Sequence, residues 1–413
     1  MRFLILGLSY LPESTPSGPY TADLAEYLQQ RGHRVQVITG FPMAPQWKIW
    51  APYKGKRFMW EVINGVPVLR TYLYVPKQPG KSVNRILFDT SFAISSLLGG
   101  LTVSRCDLIV VISPPLQLGL MAWLLSFLKG GRFFFHIKDL LPDAAVATGM
   151  LKENSQSTRI AYALERFIYQ RAKGIGVICD GFARNLMAKG VNAEKVVVLP
   201  DYIDLDFMRP LERNNHFRQQ HGIKPDDFLV MYSGTVALKQ SLHTFVETAA
   251  EFRISDTVAF YLVGEGAYLQ GLKAKAEELR LPHLHFLPLQ PRENLPVQLS
   301  AADALVVTQK WAITDVVFPS KLLYYMASGR PILAAVSPDS EAGRFISIHQ
   351  VGLVVPPEKP KELAQAIRFL QQNRREAERL GRNGRIVVEE RFDRRVILKQ
   401  FAEHLETLAN NDR

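Results

Sequence analysis

The chain has 413 residues, of which 47% are hydrophobic and 22% are charged; this is the composition of a globular protein with a large core and excludes an intrinsically disordered chain. Its two cysteines exclude a disulfide scaffold; Cys106 and Cys179 lie in apolar runs and are predicted to be reduced core residues of a cytoplasmic protein. The net charge of +11 favours an anionic partner, and nucleic acid, a membrane surface and a phosphorylated substrate all remain open.

The most apolar segments do not have the pattern of a membrane span. The amino-terminal run lacks the basic start and small-residue cleavage site of a signal peptide, so it is predicted to be a first core strand. The stretch 86–103 contains Asp89, three serines and a Gly-Gly pair, whereas a transmembrane helix needs about 20 mainly apolar residues. We interpret it as a buried or half-buried helix, and a membrane-facing surface is the open alternative.

Apolar runs alternate with helical stretches along the first half of the chain. Runs that are apolar at consecutive positions favour parallel strands covered on both faces. The predicted strands are 3–8, 35–39, 66–70, 108–113, 133–137, 174–179 and 196–199. Periodic stretches such as 20–30 and 158–171 separate them and are predicted to be helices.

The same alternation restarts in the second half. The predicted strands are 228–233, 258–263, 284–287, 304–308, 331–336 and 352–355, and the helices between them include 242–252, 268–279 and 362–372. Repeated βαβ units predict an α/β fold with two doubly wound parallel sheets. A polar segment near 205–215 marks the boundary, and of the net charge +9 lies on residues 1–205 and +2 on 206–413.

Ligands of open α/β sheets bind beyond the carboxyl ends of the strands, so the loops there are the candidate sites. The first loop, 10–20, brings Gly18 to the start of a helix, where backbone N–H groups bind anions. The G-x-G-x-x-G pattern of dinucleotide-binding proteins does not follow this strand, and its nearest match, at 264–266, lacks the third glycine. This disfavours a nicotinamide dehydrogenase, and the absence of GxxxxGK[ST] excludes a P-loop NTPase.

Three further loops carry polar side chains. The loop after the strand at 133–137 holds Asp139 and begins next to His136, which is either a cleft residue or a satisfied core imidazole. In the loop 233–241, small residues precede Lys239, which predicts a phosphate cradle; a plain turn with an exposed lysine is the alternative. In 315–331, Ser320 and Lys321 stand at a predicted helix start, where a hydroxyl, a cation and free N–H groups suit a diphosphate.

These pieces, in this order, resemble the GT-B glycosyltransferases of the large retaining family 4. The most similar group is that of the colanic-acid biosynthesis glycosyltransferases, which are also named fucosyltransferases. The segments that carry the resemblance are 17–21, 31–35, 45–47, 73–79, 136–139, 232–234, 239–240, 309–310 and 315–322.

The resemblance implies a GT-B fold, in which two Rossmann-like domains face a cleft. An N-terminal domain over 1–205, joined by a returning helix at about 391–413, would bind the acceptor, and a C-terminal domain over 206–390 would bind the sugar-nucleotide donor. His136 and Asp139 would be catalytic. The donor diphosphate would contact Gly18, Gly234, Thr235, Lys239, Ser320 and Lys321. The donor sugar or nucleoside would contact Glu265, Asp315 and Tyr324.

The sequence departs from the family pattern in two places. The Glu-x7-Glu pair of the family falls on Val316 and Tyr324 here, and Asp315 is the candidate replacement for the first Glu. The family usually has an Arg before the lysine of the third loop, where this chain offers only Thr235. The donor diphosphate is therefore expected to depend more on Lys321 and on helix N-termini.

The resemblance also implies the activity. The expected enzyme is a retaining, metal-independent glycosyltransferase without a cofactor, which moves fucose or a related deoxy or amino sugar from a GDP- or UDP-linked donor. The expected acceptor is a lipid-linked saccharide or an oligosaccharide in exopolysaccharide or surface-polysaccharide biosynthesis. A sugar-nucleotide epimerase or phosphorylase of GT-B fold is the alternative enzyme. A basic nucleic-acid-binding protein is the alternative outside enzymes, although no helix-turn-helix, RRM or zinc-finger pattern supports it.

The excess positive charge of the first half predicts contact with an anionic membrane surface. Clustered Lys and Arg gain about 1 kcal/mol each near an anionic leaflet. The expected location is therefore peripheral, on the inner face of the plasma membrane, and a merely solvated basic face is the alternative. The candidate residues, basic and interleaved aromatic, are Lys54, Lys56, Arg57, Lys77, Lys81, Arg85, Trp47, Trp50, Phe58 and Trp60.

Overall fold

A computed structural model of the chain describes residues 1–13, 17–44, 46–78, 82–147, 149–311 and 319–410, with only the backbone of Lys239. The chain divides into two α/β units. The first contains Met1–Asp201 and Ile397–Arg413, and the second contains Tyr202–Val396.

The first unit is built on an eight-stranded sheet. Its strands are β1 (Arg2–Gly7), β2 (Arg34–Gly40), β3 (Phe58–Ile63), β4 (Val66–Thr71), β5 (Leu108–Ser113), β6 (Arg132–Ile137), β7 (Gly174–Val177) and β8 (Val196–Val198). They lie in the order β3-β4-β2-β1-β5-β6-β7-β8. All neighbours are parallel except β3 and β4, which form an antiparallel pair at one edge.

The second unit has a six-stranded sheet in which all neighbours are parallel. Its strands are β9 (Phe228–Ser233), β10 (Val258–Val263), β11 (Leu284–Leu287), β12 (Ala304–Thr308), β13 (Ile332–Ala335) and β14 (Gly352–Val355). Their order is β11-β10-β9-β12-β13-β14. The central strand β9 is buried at every position, because helices cover both faces of the sheet.

Helices connect the strands in both units. In the first unit they are α1 (Ser17–Gln30), α2 (Ser82–Thr102), α3 (Leu118–Lys129), α4 (Leu141–Ala147), α5 (Gln156–Arg171) and α6 (Asp180–Ala188). In the second they are α7 (His216–Gln220), α8 (His243–Ala249), α9 (Leu269–Glu278), α10 (Leu295–Ala301), α11 (Lys321–Ala327), α12 (Glu341–His349), α13 (Pro360–Gln372) and α14 (Arg374–Arg391). The last helix, α15 (Arg394–Asn410), begins in the second unit and continues into the first.

The structure contains every strand predicted from the sequence, with bounds shifted by at most two residues. One strand, β3, was missed, and the expectation of wholly parallel sheets is wrong at this edge. Side chains of β3 alternate between half-buried and exposed, so the segment lacks the continuous apolar run by which the other strands were found. The signal that predicts it is Asn64-Gly65, a two-residue hairpin turn in which both residues have positive φ, 50° and 82°.

Two further expectations concern burial and the membrane. Both cysteines are free and buried, as predicted. Among the helices of the described segments, none is at once long enough and apolar enough to cross a bilayer.

The carboxyl-terminal part of α15 packs on the first unit. The Phe401 ring lies 5.9 Å from the Phe134 ring in an edge-on arrangement. Further along, the Glu406 carboxylate accepts hydrogen bonds from Arg31 Nε at 2.7 Å and Nη2 at 2.8 Å, and lies 2.7 Å from His33 Nε2. The Arg31 hydrogen bond is the main reason that the pKa of Glu406 falls to about 2. Residues of both chain ends therefore stabilise one unit.

Candidate active site

Three segments meet at the carboxyl edge of the second sheet. The segment after β9 runs from Gly234 into a short 3-10 turn at Leu238–Gln240, and the segment after β10 runs through Gly264 and Glu265. The third lies between β12 and α11, and its described parts are residues 309–311 and 319–320, directly before Lys321. Because parallel strands end at the same edge of a sheet, these segments are the natural place for a bound ligand.

The first two segments are joined through their backbones. Gly234 N donates to the Val263 carbonyl at 2.9 Å, and Val236 N donates to the Glu265 carbonyl at 2.8 Å. A Cβ atom on Gly264 would lie 1.9 Å from the Gly234 oxygen, so no other residue fits there without moving the backbone. The two segments thus form one fixed surface, made largely of main chain.

Lys321 places a cation at the edge of this surface. Its ammonium donates to Tyr232 Oη at 2.6 Å and lies 3.9 Å from the centroid of that ring. The Tyr232 hydroxyl in turn donates to the Thr235 carbonyl at 2.6 Å. A Cβ on Gly234, where φ is 141°, would lie only 3.2 Å from the ammonium. A half-buried cation beside a glycine backbone is well placed to bind an anionic group.

Tyr325 fixes the helix that carries Lys321. The Tyr325 hydroxyl accepts a hydrogen bond from Ser233 N at 2.9 Å and donates to the Ser233 carbonyl at 3.0 Å. Burial raises the pKa of this tyrosine well above its ordinary value, so the hydroxyl remains protonated and can donate. Gln298 Nε2 donates to Ser233 Oγ at 2.9 Å, which adds a further hydrogen bond at the end of β9.

The start of α11 differs from the expectation of free N–H groups. The Leu322 amide donates to the Pro319 carbonyl at 3.0 Å, and the Leu323 amide donates to the Ser320 carbonyl at 3.2 Å. These two amides are therefore already satisfied, and the expectation is wrong for them. The half-buried Ser320 makes no capping hydrogen bond with its side chain, so the hydroxyl of Ser320 and the ammonium of Lys321 are the groups that an anion would meet.

Two glutamines near this edge were not among the predicted site residues. In the described part of the chain, the buried Oε1 atoms of Gln240 and Gln309 have no hydrogen-bond partner. Gln309 comes directly after β12, and Thr308 Oγ1 donates to the Gln240 carbonyl. A buried acceptor without a donor costs about 1–3 kcal/mol, which a ligand hydroxyl or amine would recover. A polar residue directly after an apolar strand is the sequence signal that could have identified Gln309.

The remaining predicted residues of the second unit have different surroundings. Thr235 and Glu265 are exposed at the surface made by the two joined segments. Tyr324, for which a contact with the donor sugar or nucleoside is predicted, is half-buried and packs against the hydrophobic core. Asp315 lies outside the described residues, and Lys239 has only its backbone described, in the turn Leu238–Gln240.

The first unit has its own polar cluster at the carboxyl edge of its sheet. The Lys138 ammonium lies 4.2 Å from the centroid of the Tyr20 ring and forms an ion pair with Asp201. This joins the first turn of α1, where Gly18 is buried, to the segment after β6. Asp139 is half-buried in that segment.

His136 does not fit the predicted catalytic position. Its ring is 2% exposed and packs 5.0 Å from the Phe401 ring of α15, inside the first unit. Burial, and next to it the charge of Lys138, lower the pKa of His136 well below its ordinary value, so the imidazole is neutral. Of the two interpretations that the sequence left open, this burial favours the core imidazole, but the imidazole is not a satisfied one, because its Nδ1 atom has no hydrogen-bond partner within the described residues.

The described segments contain no group of three His, Cys, Asp or Glu side chains arranged to bind a metal ion. Apart from the exposed Glu265 carboxylate, the described polar groups of the candidate site are the Lys321 ammonium, hydroxyls and amides. They match an anionic, hydroxyl-rich ligand such as a phosphorylated sugar.

Comparisons with known proteins match both parts of the chain to glycosyltransferase domains. Residues 17–201 match the glycosyl transferase 4-like domain, and residues 213–387 match the glycosyl transferases group 1 family. WcaI of Escherichia coli (strain K12), named as a glycosyl transferase of colanic acid biosynthesis, is 31% identical over 375 residues, which cover 89% of this chain and 91% of WcaI.

Solved structures show the same fold. Sucrose-phosphate synthase from Thermosynechococcus elongatus superposes with a TM-score of 0.75 at 19% identity, covering 99% of both chains. HepE of Anabaena, in complex with UDP-glucose, has a TM-score of 0.72 at 19% identity and covers 98% of this chain and 100% of its own. The chain has two α/β units, matches both domain families and is related to WcaI. It therefore belongs to the GT-B glycosyltransferases.

Proposed function

We propose that the chain transfers a sugar from a nucleoside-diphosphate donor to a saccharide acceptor in the biosynthesis of a surface polysaccharide. The observation that carries this proposal is the Lys321 ammonium, held on Tyr232 next to the Gly234 backbone. The relationship to WcaI, named for colanic acid biosynthesis, supports the polysaccharide assignment.

The second unit would bind the donor. Lys321 and Ser320 would contact the diphosphate, together with Gly234, Thr235 and Lys239. The sugar or nucleoside would meet Glu265 and Asp315, and Gln309 is added here because its buried amide oxygen has no donor in the described structure. The complex of HepE with UDP-glucose supports a nucleotide-linked donor, and the base of this chain's donor is either uracil or guanine.

In the reaction, the diphosphate leaves the anomeric carbon of the donor sugar, and an acceptor hydroxyl oxygen bonds to that carbon. In the retaining route that we propose, the C1–O bond to the diphosphate breaks while the acceptor oxygen bonds to C1 on the same face. The hydroxyl proton passes to the departing phosphate oxygen. Lys321 would stabilise the negative charge that gathers on the diphosphate, without a metal ion. Asp139 would orient the acceptor hydroxyl, and His136 supports the fold.

The acceptor that we propose is a lipid-linked saccharide at the inner face of the plasma membrane. The net charge of +9 on residues 1–205 supports work next to an anionic leaflet. Fucose, or a related deoxy or amino sugar, is the proposed donor sugar.

A sugar-nucleotide panel tests the proposal. A donor that binds only the folded protein raises its unfolding temperature, so GDP- and UDP-linked sugars are compared by thermal shift. The best stabiliser is then incubated with the protein alone. Slow release of the nucleoside diphosphate supports a transferase. An isomerised sugar nucleotide would identify an epimerase instead, and the absence of both binding and turnover with every donor would contradict the proposal.

A further inference from the structure

An apolar stripe runs along the solvent-facing side of α2 in the first unit. Its members are Val83, Ile86, Leu87, Ile94, Leu98 and Leu101. Each is at least half exposed, and the spacings of three, four and seven residues place them on one face of the helix. The stripe is about 27 Å long by the rise of an α-helix. Because the opposite side is buried through residues such as Phe88 and Phe92, α2 is apolar on both its inner and its outer side.

The stripe continues at the end of α3. The Lys129 ammonium donates to the Leu101 carbonyl at 2.8 Å and to the Val103 carbonyl at 2.7 Å, so the ends of α2 and α3 lie side by side. There Phe127 is 69% exposed and Leu128 is 60% exposed.

The apolar stripe of α2 also continues onto β3. The Phe58 ring lies 3.7 Å from the position that a Cβ would take on Gly99 of α2. Phe58, Trp60 and Val62 alternate along the strand and therefore point to one face, and all three are exposed. We call the α2 stripe, the two α3 residues and these three β3 residues the apolar face. A patch of this extent on a water-soluble surface marks an interaction site.

The charges around the apolar face are of one sign. Residues 41–106 contain nine Lys and Arg but only two acidic residues, Glu61 and Asp89. Neither acid faces outward: Glu61 Oε1 pairs with the buried Arg70, and Asp89 is 8% exposed beside Arg85. Directly before β3, the exposed residues Lys54, Lys56 and Arg57 form a cationic border.

We infer that the apolar face inserts into the headgroup region of an anionic lipid bilayer, with α2 lying in the plane of the membrane. A bilayer surface offers apolar chains below and negative headgroups above, which match both the stripe and its border. A second copy of the chain would bring the same cations against each other across a twofold axis. The inference rests on the proposed function for its purpose, since a lipid-linked acceptor would then lie at the surface to which the enzyme is bound.

Insertion of apolar side chains must be distinguished from adsorption that depends on charge alone. Vesicle co-sedimentation of the full chain makes this distinction. We expect binding to vesicles of phosphatidylcholine and phosphatidylglycerol. The double variant Ile94→Asp/Leu98→Asp should weaken binding at least about tenfold, because it places two charges on the inserted side. Ile254→Asp/Ile348→Asp, at similarly exposed positions of the second unit, is the matched control and should bind normally. Equal binding of the two double variants would overturn the inference.

Depth of insertion gives a second readout. Lipids brominated on their acyl chains should quench fluorescence of the bound protein, and Trp60→Phe should reduce that quenching. Binding without any quenching would mean that only charges touch the surface and would overturn the inference. A second outcome would also overturn the inference: the wild-type protein is a dimer without vesicles, and the double variant Ile94→Asp/Leu98→Asp is a monomer. The apolar face would then be the contact surface for a second copy of the chain.

The variant Lys321→Ala keeps this inference separate from the proposed function. It should bind vesicles like the wild type, since Lys321 lies in the second unit. Wild-type protein that releases nucleoside diphosphate from a donor without binding vesicles would contradict membrane insertion alone. Wild-type protein that binds vesicles but neither binds nor turns over any sugar nucleotide would contradict the proposed function alone.

Discussion

The ammonium of Lys321 sits 2.6 Å from the hydroxyl oxygen of Tyr232 and 3.9 Å from the centroid of the same ring. One aromatic side chain thus holds the cation through a hydrogen bond and through its π face. Tyr232 belongs to β9 and Lys321 to α11, so the contact joins this strand to this helix at the edge of the candidate donor site.

Replacing Lys321 by Ala should lower turnover by about 10²-fold or more, because one charge-stabilising group is lost from the leaving diphosphate. Release of nucleoside diphosphate measures the effect. Lys275→Ala, on the exposed surface of α9, removes a lysine of the same unit and should leave turnover unchanged. Near-normal turnover of a folded Lys321→Ala protein would remove Lys321 from the site.

Replacing Tyr232 by Phe should weaken donor binding more than it slows the chemical step. The ring remains beneath the ammonium, but both hydrogen bonds of the hydroxyl, with Lys321 and with the Thr235 carbonyl, are lost. Loss of the hydrogen bond with Lys321 costs about 1 kcal/mol, or roughly fivefold in affinity. Titration of the donor and the split between KM and kcat check this. Tyr261→Phe, which removes a hydroxyl near His221, serves as the comparison. An unchanged KM would show that the hydroxyl does not position the cation.

Replacing Gly264 by Ala should destabilise the second unit and weaken donor binding together. The new Cβ would lie 1.9 Å from the Gly234 oxygen, and such overpacking costs about 1–3 kcal/mol. Gly271→Ala is the control, because a Cβ there meets nothing within 4 Å and Ala favours the helix. Urea unfolding and donor titration measure the two effects. Normal donor binding by the Gly264→Ala protein would separate this backbone from the site.

Replacing His136 by Phe should leave turnover near the wild-type value and change the pH dependence of stability. The folded pKa of His136 lies below the ordinary 6.5, so protonation favours the unfolded chain and stability falls as pH drops below about 6.5. The variant should lose less stability than the wild type between pH 7 and 5.5, as measured by thermal unfolding. A collapse of turnover at unchanged stability would restore the catalytic assignment.

Replacing Glu406 by Gln should destabilise the first unit at neutral pH. The pKa of Glu406 falls from 4.5 to about 2, so the stability that its charge supplies is complete above pH 4.5 and is lost as pH falls toward 2. The difference in unfolding free energy between wild type and variant should therefore shrink on acidification. A difference that stays constant down to pH 3 would show that the carboxylate charge is not its source.

Most of the fold could be predicted because the parallel strands are buried on both faces and read as continuous apolar runs. The strand β3 has no continuous apolar run, since one of its faces is exposed to solvent. The Asn64-Gly65 turn is the sequence feature that indicates it. His136 shows the same limit for the site. A histidine on an apolar strand points to one face or the other, and its neighbour Phe401 lies 265 residues further along the chain, so no local pattern decides between core and cleft.

The pairing of Lys321 with Tyr232 was equally beyond the sequence. Lys321 is predicted from its place after a proline at a helix start, whereas Tyr232 is assigned to a strand and to the resemblance segment 232–234, with no predicted role at the site. The two come together because Tyr325 fixes α11 to the end of β9. Neither the loop 233–241 nor the loop 315–331 reveals this contact by itself. The contact arises because a helix packs on a strand that lies 89 residues earlier in the chain.

The clamp of Glu406 on Arg31 has a consequence for the order of events during synthesis. The ribosome releases the second unit, in full, between the sheet of the first unit and the helix that completes it. Until residues 397–410 emerge, the aromatic surface around Phe134 is exposed to solvent, and the first unit cannot complete its folding. A nascent chain that has emerged only as far as Val396 would therefore contain a complete second unit and a first unit that is still open to proteases and chaperones.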